Sequence, residues 1–393
     1  MKRREFLATG IGAVTGSLLA ARTGLAHVSF QSQKVIVIGA GLSGLVAAYE
    51  LRKLNYDVTV LEAQSRPGGR VLTLRTFDEP GIHAEAGAAR IPHDHDITLK
   101  YVREFNLLLD PFYPTDGKFM RLRGGRAEQI GWDKFADTSW FVSLDKPAEW
   151  QKIRGGNDQL PHAFVTKLRA AVHYNVPVVK IEQGSSGVTV KFKEKETVRS
   201  LTGDIVICAI PFTMLSKIEI TPRFNEAKAD AIHSLEYDSA ARAFIETKKR
   251  FWRDQQLNGY AFGEDGAEVW ESTFVQSGTH GILQNYLRGG HATDLMKKTE
   301  PERVRSTMEK LGKLFPDLQT NFVKGSSKCW NEDPWVLGAW AHPDRETLEI
   351  GGRPEGRIFF AGEHLSNTAS WMQGALESGL RVVREVVSAR VTV

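Results

Sequence analysis

Six residues restrict the folds open to this chain more than any others: Gly39-Ala40-Gly41-Leu42-Ser43-Gly44. They follow a β-branched apolar run over residues 34–38 and open a stretch, 42–54, with the pattern of a helix. A second strand pattern occupies 57–61. That is the order and spacing of a parallel βαβ unit, in which each glycine has its own task. The first permits a tight turn, the second lets main chain approach a pyrophosphate, and the third lets helix and strand pack closely. N–H groups left free at the helix N-terminus then face the phosphates with a partial positive charge. Such a turn also occurs with no ligand. Here Glu62 ends the second strand, 18 residues beyond Gly44, where a carboxylate can accept both ribose hydroxyls. The expectation is a Rossmann-type α/β domain that binds a dinucleotide, with NAD and FAD both open.

Two further blocks carry patterns of the same kind. Strand patterns occupy 176–182, 188–192 and 205–210, the last an apolar run that stops at Pro211. A strand over 358–361 precedes a helix from about 371 to 387. We expect a discontinuous nucleotide domain, built from 31–95, 151–220 and 341–393 around one shared sheet. Residues 96–150 and 221–340 are richer in Trp, Phe and charged helical runs, such as 301–314 with apolar residues at helical spacing. They are expected to form a second, α+β domain on the substrate side.

Composition narrows the function. With 393 residues the chain is long enough for two domains. Its 51 basic and 47 acidic residues leave a net charge of +4, and no basic run is dense enough to track phosphates. Nucleic acid is therefore not an expected partner, and Lys248-Lys249-Arg250 reads as a solvated face. Two cysteines, Cys208 and Cys329, are too few for a disulfide framework or a Cys-rich metal site. Residues 1–26 have the form of a twin-arginine signal: Lys2-Arg3-Arg4-Glu5-Phe6-Leu7, a mildly apolar run to Ala21, and a cleavage site after Ala26. The run is too short to span a bilayer stably, and no other stretch reaches transmembrane length. A periplasmic or secreted protein without stable membrane insertion is expected. His93-Asp94-His95-Asp96 offers metal-ligand residue types, but alternate spacing in a polar loop suits a closed site poorly, and no metal is expected. Neither a Gly-x-Ser-x-Gly elbow nor a His-Glu-x-x-His helix is present, so hydrolase chemistry has no support.

After Glu62 the chain reads Ala63-Gln64-Ser65-Arg66-Pro67-Gly68-Gly69-Arg70. Two adjacent glycines let main chain lie flush on a ligand while flanking arginines neutralise phosphate. With this segment the chain resembles the flavin amine oxidase family of monoamine, polyamine and L-amino acid oxidases, and most of all the last. The resemblance covers most of the mature chain. It extends to Gly155-Gly156-Asn157-Asp158-Gln159-Leu160, to Val178, and to Gly362-Glu363 in Phe359-Phe360-Ala361-Gly362-Glu363-His364. It implies an FAD held by Gly39, Gly41, Leu42, Ser43, Gly44, Glu62, Ala63, Arg66, Gly69 and Arg70, and by Gly87, Ala88, Ala89 and Arg90. Val178 would meet the adenine, Trp330 the flavin ring, Glu363 the ribityl-phosphate region, with Gly362, Trp371 and Met372 beside it. The helix entered through Trp371-Met372-Gln373-Gly374-Ala375 would aim its N-terminus at the flavin's pyrimidine edge, where positive dipole density stabilises the anion formed on hydride uptake. Ala339 stands where monoamine oxidases carry the cysteine linked to flavin, so the FAD is expected to be non-covalent. His364 reads as a satisfied histidine at the site edge.

The substrate side follows from the same resemblance. Amine oxidation needs the substrate Cα–H to face flavin N5 in a dry, narrow slot. Trp340 and Trp371 match two walls of the family's aromatic cage, and Trp330 a tryptophan packed near N5. Arg90, in Glu85-Ala86-Gly87-Ala88-Ala89-Arg90-Ile91-Pro92, matches the arginine with which L-amino acid oxidases grip the substrate carboxylate. The plainer alternative is an arginine bound to flavin or to a carboxylate such as Glu85. One position departs. The family usually places a lysine nine residues before Phe251-Trp252, where it holds a water and assists reaction with oxygen; this chain has Arg242. Hydride transfer should survive that change, whereas fast use of oxygen is put in question. The span from Pro92 to Gly155 is also shorter than the helical domain of typical amino acid oxidases, which predicts a more open funnel.

The expectation is oxidative deamination of an L-amino acid. Hydride passes from Cα to flavin N5, the imine hydrolyses to keto acid and ammonia, and oxygen yields hydrogen peroxide. Arg90 grips the carboxylate, Trp340 and Trp371 flank the substrate, and Arg242 and Trp330 lie near N5. The alternatives are a monoamine or polyamine oxidase or dehydrogenase that uses another electron acceptor, and a flavin-carrying accessory protein without turnover. A homodimer stays open.

Overall fold

The computed structural model describes residues 32–136, 146–263 and 267–391. The signal segment read at 1–26 lies outside them. The run Lys34–Ile38 is a strand as expected, and its residues alternate between two cores: Val35 and Val37 face one, Ile36 and Ile38 the other. A strand buried on both faces belongs at the centre of a parallel sheet. The sheet order is Ile358–Phe360, Ile205–Cys208, Lys34–Ile38, Asp57–Leu61, Val172–His173, and every pairing is parallel. On one face lie the helices Leu42–Lys53, Gln159–Leu168 and Met372–Val391.

The other face corrects one expectation. Residues 178–203 do not extend the parallel sheet; they form a second, four-stranded sheet with Glu219–Thr221, which packs across the first. The physical reason is visible in Val188–Glu194: Val188 and Val190 are buried while Thr189 and Lys191 are not, so the strand has one apolar face and one wet one. The helix Asp96–Glu104 lies where substrate-side structure was expected, yet Tyr101 and Val102 bury it in the helical core of the nucleotide side.

The third layer is a seven-stranded mixed sheet. Its order is Phe322–Cys329, Ala240–Thr247, Gly281–Arg288, Glu268–Glu271, Leu257–Phe262, Lys118–Arg123, Arg126–Ile130. All pairings are antiparallel except that of Leu257–Phe262 with Lys118–Arg123. The helix Glu300–Gly312, opened by a capping box at Thr299 and Glu302, buries Leu311 behind this sheet. Among the described residues no helix is long and apolar enough to cross a membrane.

The first helix packs on its strand at Gly44 and against the last helix at Gly379. A Cβ on Gly44 would meet the Gly39 carbonyl oxygen at 2.1 Å, and one on Gly379 would meet the Ser43 carbonyl oxygen at 2.5 Å. In a solvated helix, Gly→Ala gains roughly 1 kcal/mol. Here the obstacle is main chain, which cannot turn aside, and overpacking costs about 1–3 kcal/mol. Gly379→Ala should therefore lower the urea midpoint of the protein; a raised midpoint would show that the helices can part without loss.

Candidate functional site

The edge of the parallel sheet opens into a cavity of about 650 Å³. Gly39, with φ +102°, turns the chain out of its strand in a conformation that a side chain would strain. The helix behind it starts at Gly41 with no side-chain cap and no acidic residue in its first turn. Its first N–H groups are thus left for a ligand. A Cβ at Gly41 would touch nothing, and one at Gly69 would approach only the Gly41 Cα, at 3.8 Å. Both glycines line the cavity, so any side chain there would project into it. The open space and the free N–H groups suit an extended, phosphate-bearing ligand. Glu62 fixes the turn: it accepts from the Ala40 N–H at 2.6 Å and the Gln64 N–H at 2.8 Å. Burial pushes its carboxyl above the usual carboxylate range, against the pull of those N–H groups and Arg66.

Of the cradle residues singled out from sequence, Leu42, Ser43, Ala63, Gly87, Ala88, Ala89, Val178 and Met372 also line the cavity. Gly44 and Arg66 do not. Gly44 serves the helix–strand contact, and the Arg66 guanidinium donates to the carbonyls of Pro67 and Gly69, bracing its own loop from behind. Arg70 is the arginine that faces inward. It donates to Glu363 at 2.7 Å and to the Ala339 carbonyl at 2.9 Å, while Glu363 also accepts from the N–H groups of Ala341 and Ser370. The Asn157 side chain donates to the Ala88 carbonyl at 3.0 Å, so the turn after Gly156 backs the segment that leads to Arg90.

Met372 and Ala375, in the first turn of the closing helix, face the same cavity, and no acidic residue offsets that turn's positive end. His364 also borders it. The ring is fully buried, packed at 4.4 Å against Phe212, and neither nitrogen has a hydrogen-bond partner. The sequence suggests a satisfied histidine at the site edge; its orphaned nitrogens instead fit a site completed by a polar ligand. Burial, with Arg70 and Arg381 nearby, drives its pKa well below the ordinary value and keeps it neutral.

The remaining wall comes from the seven-stranded sheet. Arg242, Tyr286 and Glu268 share one rung of three neighbouring strands. Arg242 donates to the Glu85 carbonyl at 2.7 Å and lies 4.6 Å from the Tyr286 ring and 5.0 Å from that of Trp270. Arg90 donates to Glu268 at 3.1 Å and to the Tyr113 hydroxyl at 3.2 Å, and Arg288 approaches Glu268 at 3.5 Å. The carboxylate beside Arg90 is thus Glu268, not Glu85. Burial would ease the proton off Arg90, but Glu268 together with Tyr113 and Tyr286 outweighs it and raises the guanidinium pKa. Trp330, Trp340 and Trp371 all line this end, and the Trp330 indole donates to the Ala86 carbonyl at 2.8 Å. Tyr286, Arg288 and Glu268 were missed from sequence. Their signal is a register between strands that a single chain does not print. Neither cysteine lines the cavity; burial pushes the Cys208 thiol up to about 12 and Cys329 up to about 11.

The profile described as flavin containing amine oxidoreductase matches residues 42–151 and 133–387. YobN of Bacillus subtilis (strain 168) is 31% identical over 93% of this chain and 96% of its own. The flavin-dependent L-tryptophan oxidase RebO of Lentzea aerocolonigenes is 28% identical over 90% and 98%. Among solved structures, wild-type putrescine oxidase bound to putrescine superposes with a TM-score of 0.77 at 20% identity, over 91% of this chain and 99% of that one, a likeness of fold.

Behind Ala89 a separate cavity of about 20 Å³ collects His83, Glu85 and Lys152. Burial, with Lys152 and Arg75 beside it, pushes His83 down to about 4. A histidine depressed in the fold stabilises it fully above the unfolded value of about 6.5, and that stability is lost as pH falls through the folded value. Melting temperature should drop between pH 6.5 and 4, and less steeply in His83→Phe. Parallel curves for the two proteins would mean that this ring is hydrated and titrates normally.

Proposed function

Because this chain belongs to the flavin-containing amine oxidoreductase family, we propose that it oxidatively deaminates an L-amino acid with a non-covalently held FAD. Family membership makes it an oxidoreductase acting on CH–NH₂ donors; the amino acid is the finer reading. The observation that carries it is the set of three arginines, Arg90, Arg242 and Arg288, that line one cavity beside Trp371, with Arg90 and Arg288 both paired to the carboxylate of Glu268. Guanidinium groups are weakly hydrated and pair with carboxylates in a fixed fork, which suits a desolvated grip on a substrate carboxylate. Putrescine and cyclohexylamine, for which two oxidases of similar fold are named, carry no carboxylate.

FAD, when bound, supplies the hydride acceptor. The cradle of Gly39, Gly41 and Gly69, with Glu62, Arg70 and the two open helix ends, would hold it. Ala339 offers no thiol, and both cysteines lie in other parts of the core. Arg90 orients the substrate by its carboxylate, sharing that charge with Glu268. Trp340 and Trp371 exclude water from the Cα–H and favour the neutral amine. The imine leaves to hydrolyse in water to keto acid and ammonia. The twin-arginine run Lys2-Arg3-Arg4 supports export to the periplasm or beyond.

One observation favours a second reading. Arg90 already holds a buried partner, so in an amine oxidase it could serve structure alone. The two readings part under anaerobic conditions. L-leucine, L-phenylalanine, L-tryptophan and L-glutamate are compared with putrescine, benzylamine and cyclohexylamine for bleaching of the yellow enzyme. We expect bleaching by an amino acid; bleaching by amines alone retires the carboxylate grip. Arg90→Ala should lower kcat/KM for the amino acid by at least about 30-fold while FAD stays bound, since truncating one side of a buried charged contact costs roughly 2–5 kcal/mol.

Arg242 generates its own test. Its fixed bond to the Glu85 carbonyl and its seat on Tyr286 and Trp270 leave it little freedom. A shorter, mobile lysine would admit water beside it. Arg242→Lys should speed reoxidation of the reduced enzyme by oxygen in stopped-flow traces; unchanged traces count against a blocking role.

A further inference from the structure

The run His93-Asp94-His95-Asp96 has the residue types of a metal site, yet among the described residues no group of three or more such side chains is arranged to hold an ion. Its geometry serves another neighbour. His95 is buried, and its ring stands edge-on to Trp371, with centroids 5.0 Å apart and planes at 83°. Trp150 meets the same indole, at 5.6 Å and 86°. Two perpendicular rings therefore bound Trp371, which itself lines the main cavity.

The main chain beneath these rings is fastened as well. Gln373 accepts from the Thr98 N–H at 3.0 Å and from the Thr98 hydroxyl at 3.1 Å, and its amide donates to Asp96 at 2.6 Å. These bonds join the first turn of Asp96–Glu104 to the first turn of Met372–Val391, next to the ring contact. Burial pushes His95 down to about 4, so the ring acts there as a neutral aromatic body.

We propose that His95, with Asp96 and Thr98 bonded to Gln373, is a positioning unit that fixes the Trp371 indole as the substrate-facing wall of the cavity. This rests on the reading of Trp371 as part of the substrate cage. His95 touches no reacting atom in that scheme; it acts through Trp371 alone.

The test compares His95→Ala, His95→Phe, Gln373→Ala, Trp371→Phe and Trp371→Ala in the flavin-loaded enzyme. Steady-state constants are measured with the fastest-bleaching compound of the panel above. A second readout is the near-UV circular dichroism contributed by Trp371, taken as the difference on adding Trp371→Phe to each background. For His95→Ala we expect KM to rise about tenfold with kcat within about threefold, unchanged FAD content, and a strongly weakened Trp371 dichroic signal. His95→Phe, which restores a ring, should recover most of both. If His95→Ala folds, binds FAD and leaves KM and the Trp371 signal unchanged, the proposal is wrong. It is equally wrong if His95→Phe is as poor as His95→Ala. Should His95→Ala fail to fold, Gln373→Ala decides, since it loosens the joint and keeps the ring: a raised KM with a weakened signal supports positioning, and wild-type values overturn it. Trp371→Ala separates the two layers. If it leaves KM unchanged, the cage reading fails and takes this proposal with it; if it raises KM while His95→Ala does not, only the positioning role fails.

Discussion

The cavity owes its shape to one ion pair, Arg70 with Glu363. Glu363 is almost fully buried, and Arg70 is only 21% exposed at its side chain. Two charges so placed need their hydrogen bonds complete, and removing one partner of such a pair costs roughly 3–5 kcal/mol. Here the satisfaction comes from far along the chain: the Ala339 carbonyl on one side, the Ala341 and Ser370 N–H groups on the other. The pair thereby joins the loop after Glu62, the segment holding Trp340, and the entry to the last helix. Residues 86–89 are pressed on the same loop so closely that a Cβ at Gly87 would lie 1.8 Å from the Arg70 carbonyl oxygen. A discontinuous fold gains a continuous wall in this way.

Much of the nucleotide side was legible because its rules are local. Strand 34–38, the helix from 42 and strand 57–61 follow from periodicity and glycine placement, and Glu62 lies where a strand end must put it. The division of labour among the glycines was also readable, since Gly44 has no free space while Gly41 has nothing but space. Local rules fail where a residue's neighbour lies on another strand. Arg242, Tyr286 and Glu268 meet only through antiparallel register, and a shift of one residue would face them away. Residues 188–192 read as part of one shared sheet; that they form a separate sheet packed across it depends on contacts between Val188, Val190 and residues distant in the chain. Asp96–Glu104 sits on the nucleotide side for a similar reason: Tyr101 and Val102 choose the larger core.

The substrate end shows how several cations can share a dry space. Arg90 lies 5.0 Å from the Trp270 ring, 5.5 Å from Trp150 and 6.0 Å from Trp371. Aromatic faces partly replace water for a guanidinium, each contact being worth about 0.5–2 kcal/mol according to its desolvation. Glu268 supplies the charge that rings cannot, and the Trp270 indole also donates to it at 2.9 Å. Glu268 thus holds Arg90 in place and competes with any incoming carboxylate. Tighter binding of the substrate anion and firmer orientation of its partner are opposed in this geometry. On the proposed carboxylate grip, the balance between them would set how selectively acids are told from plain amines.

The same economy of charge extends to the helix ends. Leu42–Lys53 and Met372–Val391 pack closely through Gly379, and both open into the cavity, at Ser43 and at Met372. Neither has an acidic residue in its first turn. A carboxylate there would stabilise the free helix by about 0.3–1 kcal/mol. Leaving it out keeps two positive ends available, while the acidic residues that border the cavity, Glu62 and Glu363, are already engaged by main-chain N–H groups or Arg70. The protein thus presents unspent positive potential to whatever is bound between the helices. A diphosphate and an electron-rich ring, held in sequence along one cavity, are the two ligand parts that such a field would favour.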